Sequence, residues 1–334
     1  MAPIRAVKDY LKGQLCVTLP VSTRKWTGQT IIVTGSNVGM GLEAARHFVL
    51  HDAAKVIIAC RSQEKGLAAI ADIEATTKRT GVAEFWELDL CYYQSVEAFA
   101  RRTLALPRID VIIANAGVLR DSFEMAEDNE SHITVNVVSH MLLALLVLPK
   151  LRETAIVTGK PSVLTFTGSF THFMTEFPER NATNIFEGLN VEEGARMKSS
   201  ERYFVSKLIQ LQIMREFAKQ LTASEPKKPG KVITSIINPG FVNTQIMRHA
   251  GAMMELYMKL LRVTMSRTAD EGGRTLVHGA EGGEETHGQY LGDCKVADPS
   301  DYVKSEEGRQ VQAKLWRELM VKLEKIHPGV TQNL

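Results

Sequence analysis

Thr30-Ile31-Ile32-Val33-Thr34-Gly35-Ser36-Asn37-Val38-Gly39-Met40-Gly41 starts as a β-branched apolar run, passes through three spaced glycines, and is followed by a helical pattern at 41–51. β-Branched residues favour a pleated, buried strand, and glycines in the turn let the backbone come close to a neighbour. Where such a turn follows the first strand of a doubly wound sheet, a pyrophosphate can sit on the N-terminus of the following helix. The spacing is Gly-x-x-x-Gly-x-Gly rather than Gly-x-Gly-x-x-Gly. Any tight strand-to-helix turn needs glycine, so the rest of the chain has to decide between these readings.

Outward from this turn, apolar β-branched runs alternate with helical patterns. Strands are expected at 30–34, 55–59, 84–88, 110–114, 162–167 and 232–238, with a last short one at 289–291. Helices are expected at 41–51, 63–78, 94–104, 125–151, 201–222, 245–262, 269–278 and 305–326. This alternation predicts an α/β fold: a doubly wound, seven-stranded parallel sheet between two helix layers, in a single domain. The catalytic domain is predicted over 28–293, with 241–268 as a substrate lid. Residues 1–27 form an N-terminal extension and 294–334 a C-terminal helical one.

Composition excludes several function classes. The net charge is +2 from 40 Lys and Arg against 38 Asp and Glu, scattered rather than blocked, which leaves no footprint for nucleic acid. Cys16, Cys60, Cys91 and Cys294 have no paired spacing and read as reduced thiols of a cytoplasmic protein. His47 and His51 could share a helix face, but no third ligand is evident and no metal site is expected. The apolar run Met141–Leu148 reads as a buried helix too short to span a bilayer. Ile4, Val7, Leu11 and Leu15 mark a short amphipathic helix, either packed on the protein or in weak contact with a membrane surface.

Two further positions carry chemistry. Tyr203 and Lys207 lie four residues apart in a helical segment and so share a face. A phenol titrates at about 10, and a nearby ammonium favours its ionised form, which suits proton transfer near neutral pH. The second strand ends in Ala59-Cys60-Arg61-Ser62, where an acidic residue would hold ribose hydroxyls. Arg61 instead offers a planar fork of donors suited to a phosphate, which favours NADP(H) over NAD(H). Alternatively, Arg61 lies on the adenine or in solvent.

The chain resembles the short-chain dehydrogenase/reductase family in its compact single-domain Rossmann form, specifically its retinol-dehydrogenase-like branch with fungal metabolite enzymes. The resemblance rests on Thr34–Gly41, Asp89-Leu90, Asn115-Ala116-Gly117, Asn136, Ser169, Tyr203 with Lys207, and Asn238-Pro239-Gly240-Phe241-Val242-Asn243-Thr244, in that order. It implies Asn136, Ser169, Tyr203 and Lys207 as the catalytic set. Tyr203 would move a proton to or from the substrate oxygen, Ser169 would hold that oxygen, and Lys207 would lower the phenol's pKa and hold the nicotinamide ribose. Asn136 would keep a helix kinked around a water leading from Lys207 to solvent.

For the cofactor the resemblance implies Gly35, Ser36, Asn37, Gly39, Met40, Gly41, Arg61, Ser62, Asp89, Leu90, Asn115, Ala116, Gly117, Tyr203, Lys207, Pro239, Gly240, Val242 and Thr244. Plainer roles exist for several: Asp89 and Thr244 as helix caps, Asn136 as a satisfied core amide, Ser169 as a turn residue. Thr167-Gly168-Ser169 departs from the family's usual paired serines, and the interval from Ser169 to Tyr203 is long. That interval holds His172, Phe173, Phe177 and Phe186, expected at the pocket mouth; His172 is either a second base or a loop-packing residue. Residues 245–265 carry Met247, Met253, Met254, Met258 and Met265, an adaptable apolar wall or ordinary packing.

These features predict an NADP(H)-dependent enzyme that interconverts a carbonyl and an alcohol on a bulky, largely apolar small molecule. The alternative is a non-catalytic NADP(H)-sensing binding protein of the same fold. Either a monomer or a homodimer is expected, the dimer through helices 94–104 and 201–222 as the resemblance implies.

Overall fold

The computed structural model describes residues 4–120, 122–191, 199–243 and 265–334. The expected helix at 245–262, four of its methionines and Thr244 therefore lie outside the described residues.

The strands of the main sheet are β1 (Thr30–Thr34), β2 (Lys55–Cys60), β3 (Ala83–Glu87), β4 (Val111–Ala114), β5 (Ser162–Thr167), β6 (Val232–Asn238), β7 (Tyr290–Gly292) and β8 (Lys295–Ala297). The principal helices are α1 (Ile4–Cys16), α2 (Gly39–Leu50), α3 (Gln63–Thr77), α4 (Tyr93–Leu104), α5 (Ser139–Thr158), α6 (Ser199–Ser224), α7 (Ala269–Ala280) and α8 (Glu306–Ile326). The sheet order is β3-β2-β1-β4-β5-β6-β7-β8. Its first seven strands are parallel and bury near-continuous apolar runs, as a sheet covered on both faces requires.

The eighth strand is a correction to the sequence reading. β8 runs antiparallel to β7 through a two-residue turn in which Asp293 and Cys294 both have positive φ. Such a turn matches the twist of the strands it joins. It falls where a helical extension was expected, because three residues are too few for alternation to register.

One face of the sheet is covered by α2, α3 and α7, around Phe48, Val49, Ile73 and Leu276. The other is covered by α4, α5 and α6, with Leu315, Leu319 and Leu323 of α8 added to the same core. Trp26 also belongs to the core and packs edge-on against Phe48, so neither terminal segment is a mere appendage. Pro149 inside α5 cannot donate to the Leu145 carbonyl, and Asn333 near the C-terminus donates to it instead, at 3.0 Å.

Two readings of helices change. The apolar helical stretch Ser131–Thr158 is long enough to cross a membrane, contrary to the shorter run read from sequence, but its apolar window is 94% buried in the protein. α8 packs on α6 through Trp316 and Phe217, and Gln212 donates to the Gly308 carbonyl. Between 201 and 221 only Lys219 is exposed, so most of α6 is covered within the chain, α8 of the C-terminal extension lying on part of it.

Candidate active site

β1 and β4 are neighbours although the chain leaves β1 for β2, so their carboxyl ends diverge at a topological switch point. There lies a cleft of about 560 Å³, lined by Gly35, Asn37, Gly39, Met40, Gly41, Arg61, Ser62, Asp89, Leu90, Asn115, Ala116 and Gly117. Twelve of the residues assigned to cofactor binding from sequence thus meet in one place. Ser36 does not: it is fully buried, and its hydroxyl donates back to the Val33 carbonyl at 2.6 Å.

The cleft fits a dinucleotide phosphate on structural grounds. Gly35 has φ +64, and a Cβ there would lie 2.8 Å from Ala116 Cα. At Gly41 it would lie 2.6 Å from the Gly35 carbonyl oxygen and from Asn115 Nδ2. α2 starts after Val38, whose side chain carries no oxygen to cap the first turn, and its amides are left for an anion. The cradle is braced from behind. Thr34 Oγ1 accepts from the amides of Asn115 and Ala116, both at 2.9 Å, and Asn115 Nδ2 donates to the Thr34 carbonyl. Asp89 is occupied by the Cys91 amide at 2.9 Å while its residue lines the cleft. Lys65, one turn into α3, lines it beside Arg61 and went unread in the sequence.

Beyond Gly117 the cleft gives way to the proton-transfer groups. Asn136 lies in a π-helical turn, Thr134–Val138, a widening that frees backbone groups from the regular ladder. Its amide donates to the Val118 carbonyl (3.2 Å) and Ser206 Oγ (3.0 Å), and its Oδ1 accepts from the Val118 amide (3.1 Å). Ser206 donates to the Tyr203 carbonyl at 2.7 Å. Asn136 therefore ties the end of β4 to the turn of α6 that carries Tyr203 and Lys207. It is a satisfied core amide as well as a neighbour of the site.

Tyr203 and Lys207 share one face of α6, as the four-residue spacing requires. Lys207 Nζ lies 5.7 Å from the centre of the Tyr203 ring, and it donates to the Thr167 carbonyl (2.7 Å) and Gln210 Oε1 (3.1 Å). Gln210 Nε2 lies 3.3 Å from His140 Nδ1, so a second polar chain, absent from the sequence reading, reaches Lys207 from α5. The Ser169 hydroxyl is near enough to the Tyr203 phenol to favour its ionised form, while its Oγ accepts from the Thr171 amide at 3.2 Å.

The electrostatics differ from expectation. Burial pushes the Tyr203 phenol up to about 12, and the nearby Ser169 hydroxyl lowers it only in part. Burial also pushes Lys207 down to about 7. The expected drop of the phenol toward neutral pH is thus outweighed by desolvation, which disfavours both charged forms. Both shifts favour the neutral forms, the phenol of Tyr203 and the amine of Lys207.

The serine turn explains its own departure from paired serines. A Cβ on Gly168 would lie 2.8 Å from Ile236 Cγ1, so a side chain there would collide with β6. Asn238 Oδ1 accepts from the amides of Phe170 (3.2 Å) and Gly240 (3.1 Å), which ties the Ser169 turn to the Pro239-Gly240 turn. Gly240 has φ +82, and Val242 bridges to Arg267.

His172 is a packing residue. Its Nε2 accepts from the Ser300 amide (3.2 Å), so the proton is on Nδ1 and is donated to the Ser169 carbonyl (2.8 Å). Phe177 and Phe186 sit in the main core rather than at a pocket mouth. Burial pushes both His140 and His172 down to about 4. At these two sites the unfolded chain takes up protons below about 6.5 while the folded one does not, so their contribution to stability is full above that pH and falls between about 6.5 and 4. Urea midpoints measured at pH 7 and pH 5 are expected to show this loss; equal midpoints would contradict it.

The comparisons agree with the geometry. A family description, "short chain dehydrogenase", matches residues 29–175. The "Short chain dehydrogenase/reductase dmxR8" of Cryptosporiopsis sp. is 43% identical over 328 residues, covering 97% of this chain and 99% of that protein. The chain belongs to the short-chain dehydrogenase/reductase family. Among solved structures, an uncharacterised protein from Mycobacterium Paratuberculosis shares the short-chain dehydrogenase fold seen here, with a TM-score of 0.66 at 24% identity, over 90% of this chain and 95% of that one. A short-chain dehydrogenase from Sphingobium yanoikuyae, in complex with NADPH, has a TM-score of 0.56 at 20% identity, over 76% and 84%.

Proposed function

We propose that this short-chain dehydrogenase/reductase is NADP(H)-dependent and reduces a carbonyl to an alcohol on a bulky, largely apolar small molecule, such as a secondary metabolite. The observation that carries this is a buried Tyr203 with Lys207 on the same helix face, next to a cleft whose glycine turn leaves room for a dinucleotide phosphate. The nicotinamide dinucleotide supplies the hydride when bound. The chain's own groups supply the rest. Ser169 and Tyr203 fix the carbonyl oxygen between two hydroxyls, and Tyr203 Oη gives that oxygen its proton as negative charge develops on it. Lys207, whose ammonium burial brings down to about 7, is the nearby acid from which the phenol regains its proton, the lysine then being reprotonated from solvent.

NADP(H) is favoured by chemistry at the end of β2. Arg61, Ser62 and Lys65 line the cleft there, and Cys60 occupies a position at which a carboxylate would accept from ribose hydroxyls. That the Sphingobium enzyme is in complex with NADPH is consistent with this. Replacing Arg61 and Lys65 by Ala removes two charged donors. Each such bond is worth about 1.5–3 kcal/mol, so NADPH affinity is expected to fall by roughly a hundredfold or more while NADH affinity stays near its starting value. Titration calorimetry checks this, and equal losses for both cofactors would contradict it. A cytoplasmic location accompanies the reading, supported by four free thiols. NADPH consumption over a panel of apolar ketones and aldehydes tests the whole proposal; turnover confined to sugars or amino-acid derivatives would overturn it.

A further inference from the structure

The N-terminal helix does not dock by the stripe that made it amphipathic. Ile4, Val7 and Leu15 face outward, and α1 is held instead by polar hooks. Gln14 Nε2 donates to the carbonyls of Phe241 (2.9 Å) and Met265 (2.8 Å), and its Oε1 accepts from the Phe241 amide (3.0 Å). Arg267, itself almost wholly buried, donates to the Gly13 carbonyl (3.0 Å), to the Pro239 carbonyl (3.0 Å) and to Asp293 (2.5 Å). Gly13 passes so close to Asp293 that a Cβ would overlap its carboxylate. Generic apolar packing tolerates sliding; a set of directional bonds to backbone does not. α1 is therefore fixed in register against the turn that follows β6.

That register aims one side chain at the site. Tyr10 stacks on Phe170, the residue after Ser169, with centroids 4.1 Å apart and planes 21° apart. Phe170 stacks in turn on Phe173 at 4.9 Å and 26°. The result is a ladder of three rings beginning next to Ser169. Phe170 directly follows Ser169 in the chain, so its stack with Tyr10 brings α1 to the turn that carries Ser169.

We infer that α1 is a wall of the substrate site and that Tyr10, with Phe170, is a specificity-determining residue that selects planar apolar carbonyl compounds. The inference rests on the reductase reading above, because that reading makes Ser169 and Tyr203 the place where a carbonyl is held. A flat apolar substrate extends the ring ladder in the geometry that aromatic pairs prefer. A small carbonyl reaches Ser169 and Tyr203 without touching it.

The probe is 2-acetyl-6-(dimethylamino)naphthalene, a planar ketone whose emission moves to the blue in an apolar site. Binding is read in the full chain saturated with NADPH, in a Tyr203→Phe background that stops turnover. Tyr10→Ala is expected to weaken binding by about tenfold, the worth of one good aromatic contact, and Tyr10→Phe to restore most of it. NADPH-induced thermal stabilisation is expected to be the same in all three proteins. In the otherwise wild-type chain, Tyr10→Ala is expected to raise KM for the naphthyl ketone and leave kcat/KM for propanal unchanged. The inference is overturned by unchanged probe affinity in Tyr10→Ala, by no emission change in the Tyr203→Phe protein that retains Tyr10, or by equal losses for probe, propanal and NADPH. Tyr10-dependent binding without NADPH consumption in the wild type would instead overturn the reductase reading and leave the wall standing.

Discussion

Tyr203→Phe is expected to lower turnover by about 10²–10⁴-fold, the usual worth of a positioned proton donor, and to leave NADPH affinity nearly unchanged. The substitution removes one oxygen from a side chain that is 9% exposed and keeps the ring that packs against α6 and His132. The lost hydroxyl is the one near Ser169, whereas the cleft of Gly35, Gly41 and Asn115 loses no contact. The effect should therefore fall on kcat rather than on cofactor binding. Steady-state kinetics with any turned-over ketone, beside an NADPH thermal shift, separates the two. Activity within a few-fold of wild type would remove Tyr203 from the proposed chemistry.

Lys207→Met is expected to abolish turnover to a similar degree and to make the protein more stable, most clearly at and below neutral pH. Lys207 is buried and has no carboxylate partner among the described residues; its bonds go to the neutral Thr167 carbonyl and Gln210. Burial has moved its ammonium from 10.5 to about 7. Below about 7 both folded and unfolded chains carry the proton, so the wild type bears the full cost of burying the charge. Between about 7 and 10.5 the unfolded chain holds a proton that the folded one has released, so wild-type stability rises with pH by at most about 1.4 kcal/mol per unit. The variant lacks this rise. Its stability advantage is expected to be largest at pH 6 and to shrink toward pH 10. Denaturant unfolding at pH 6, 8 and 10 checks the trend; a variant less stable at every pH would show that the two hydrogen bonds outweigh the burial cost.

A residue that serves turnover at a cost in stability would fit the way functional groups are held against local preference. It also explains what could and could not be read from the chain. The parallel sheet was legible because β1, β4, β5 and β6 are buried over their whole length around runs of Val, Ile, Leu and Phe, and the glycine turn was legible because Gly35 and Gly41 stand where no Cβ fits. Of the candidate catalytic set, Tyr203 and Lys207 were legible as spacing, one helical turn apart, while Ser169 and Asn136 were legible only through the family resemblance. The protonation of Tyr203 and Lys207 was not, because it depends on burial, and burial is a property of α5, β5 and α6 together rather than of any one segment.

The same limit hid Gln210 and His140. Each is an ordinary polar residue in sequence, and the two meet across 70 positions of the chain. The termini misled for a related reason. The alternation of Ile4, Val7, Leu11 and Leu15 is real, yet the contacts that seat α1 come from Gln14 and Gly13, and no periodicity marks a single amide as a clamp. In β8, three residues after a tight turn were too short to be seen as a strand at all.

The most direct test of carbonyl reduction at Tyr203 is isotopic. The enzyme is supplied with NADPH carrying deuterium at both C4 positions of the reduced nicotinamide ring, together with an apolar ketone that it turns over, and the alcohol is examined by mass spectrometry and proton NMR. One deuterium on the carbinol carbon, formed in wild type and lost with Tyr203→Phe, is the expected result. An alcohol without the label, or labelled alcohol formed equally fast by Tyr203→Phe, would contradict it.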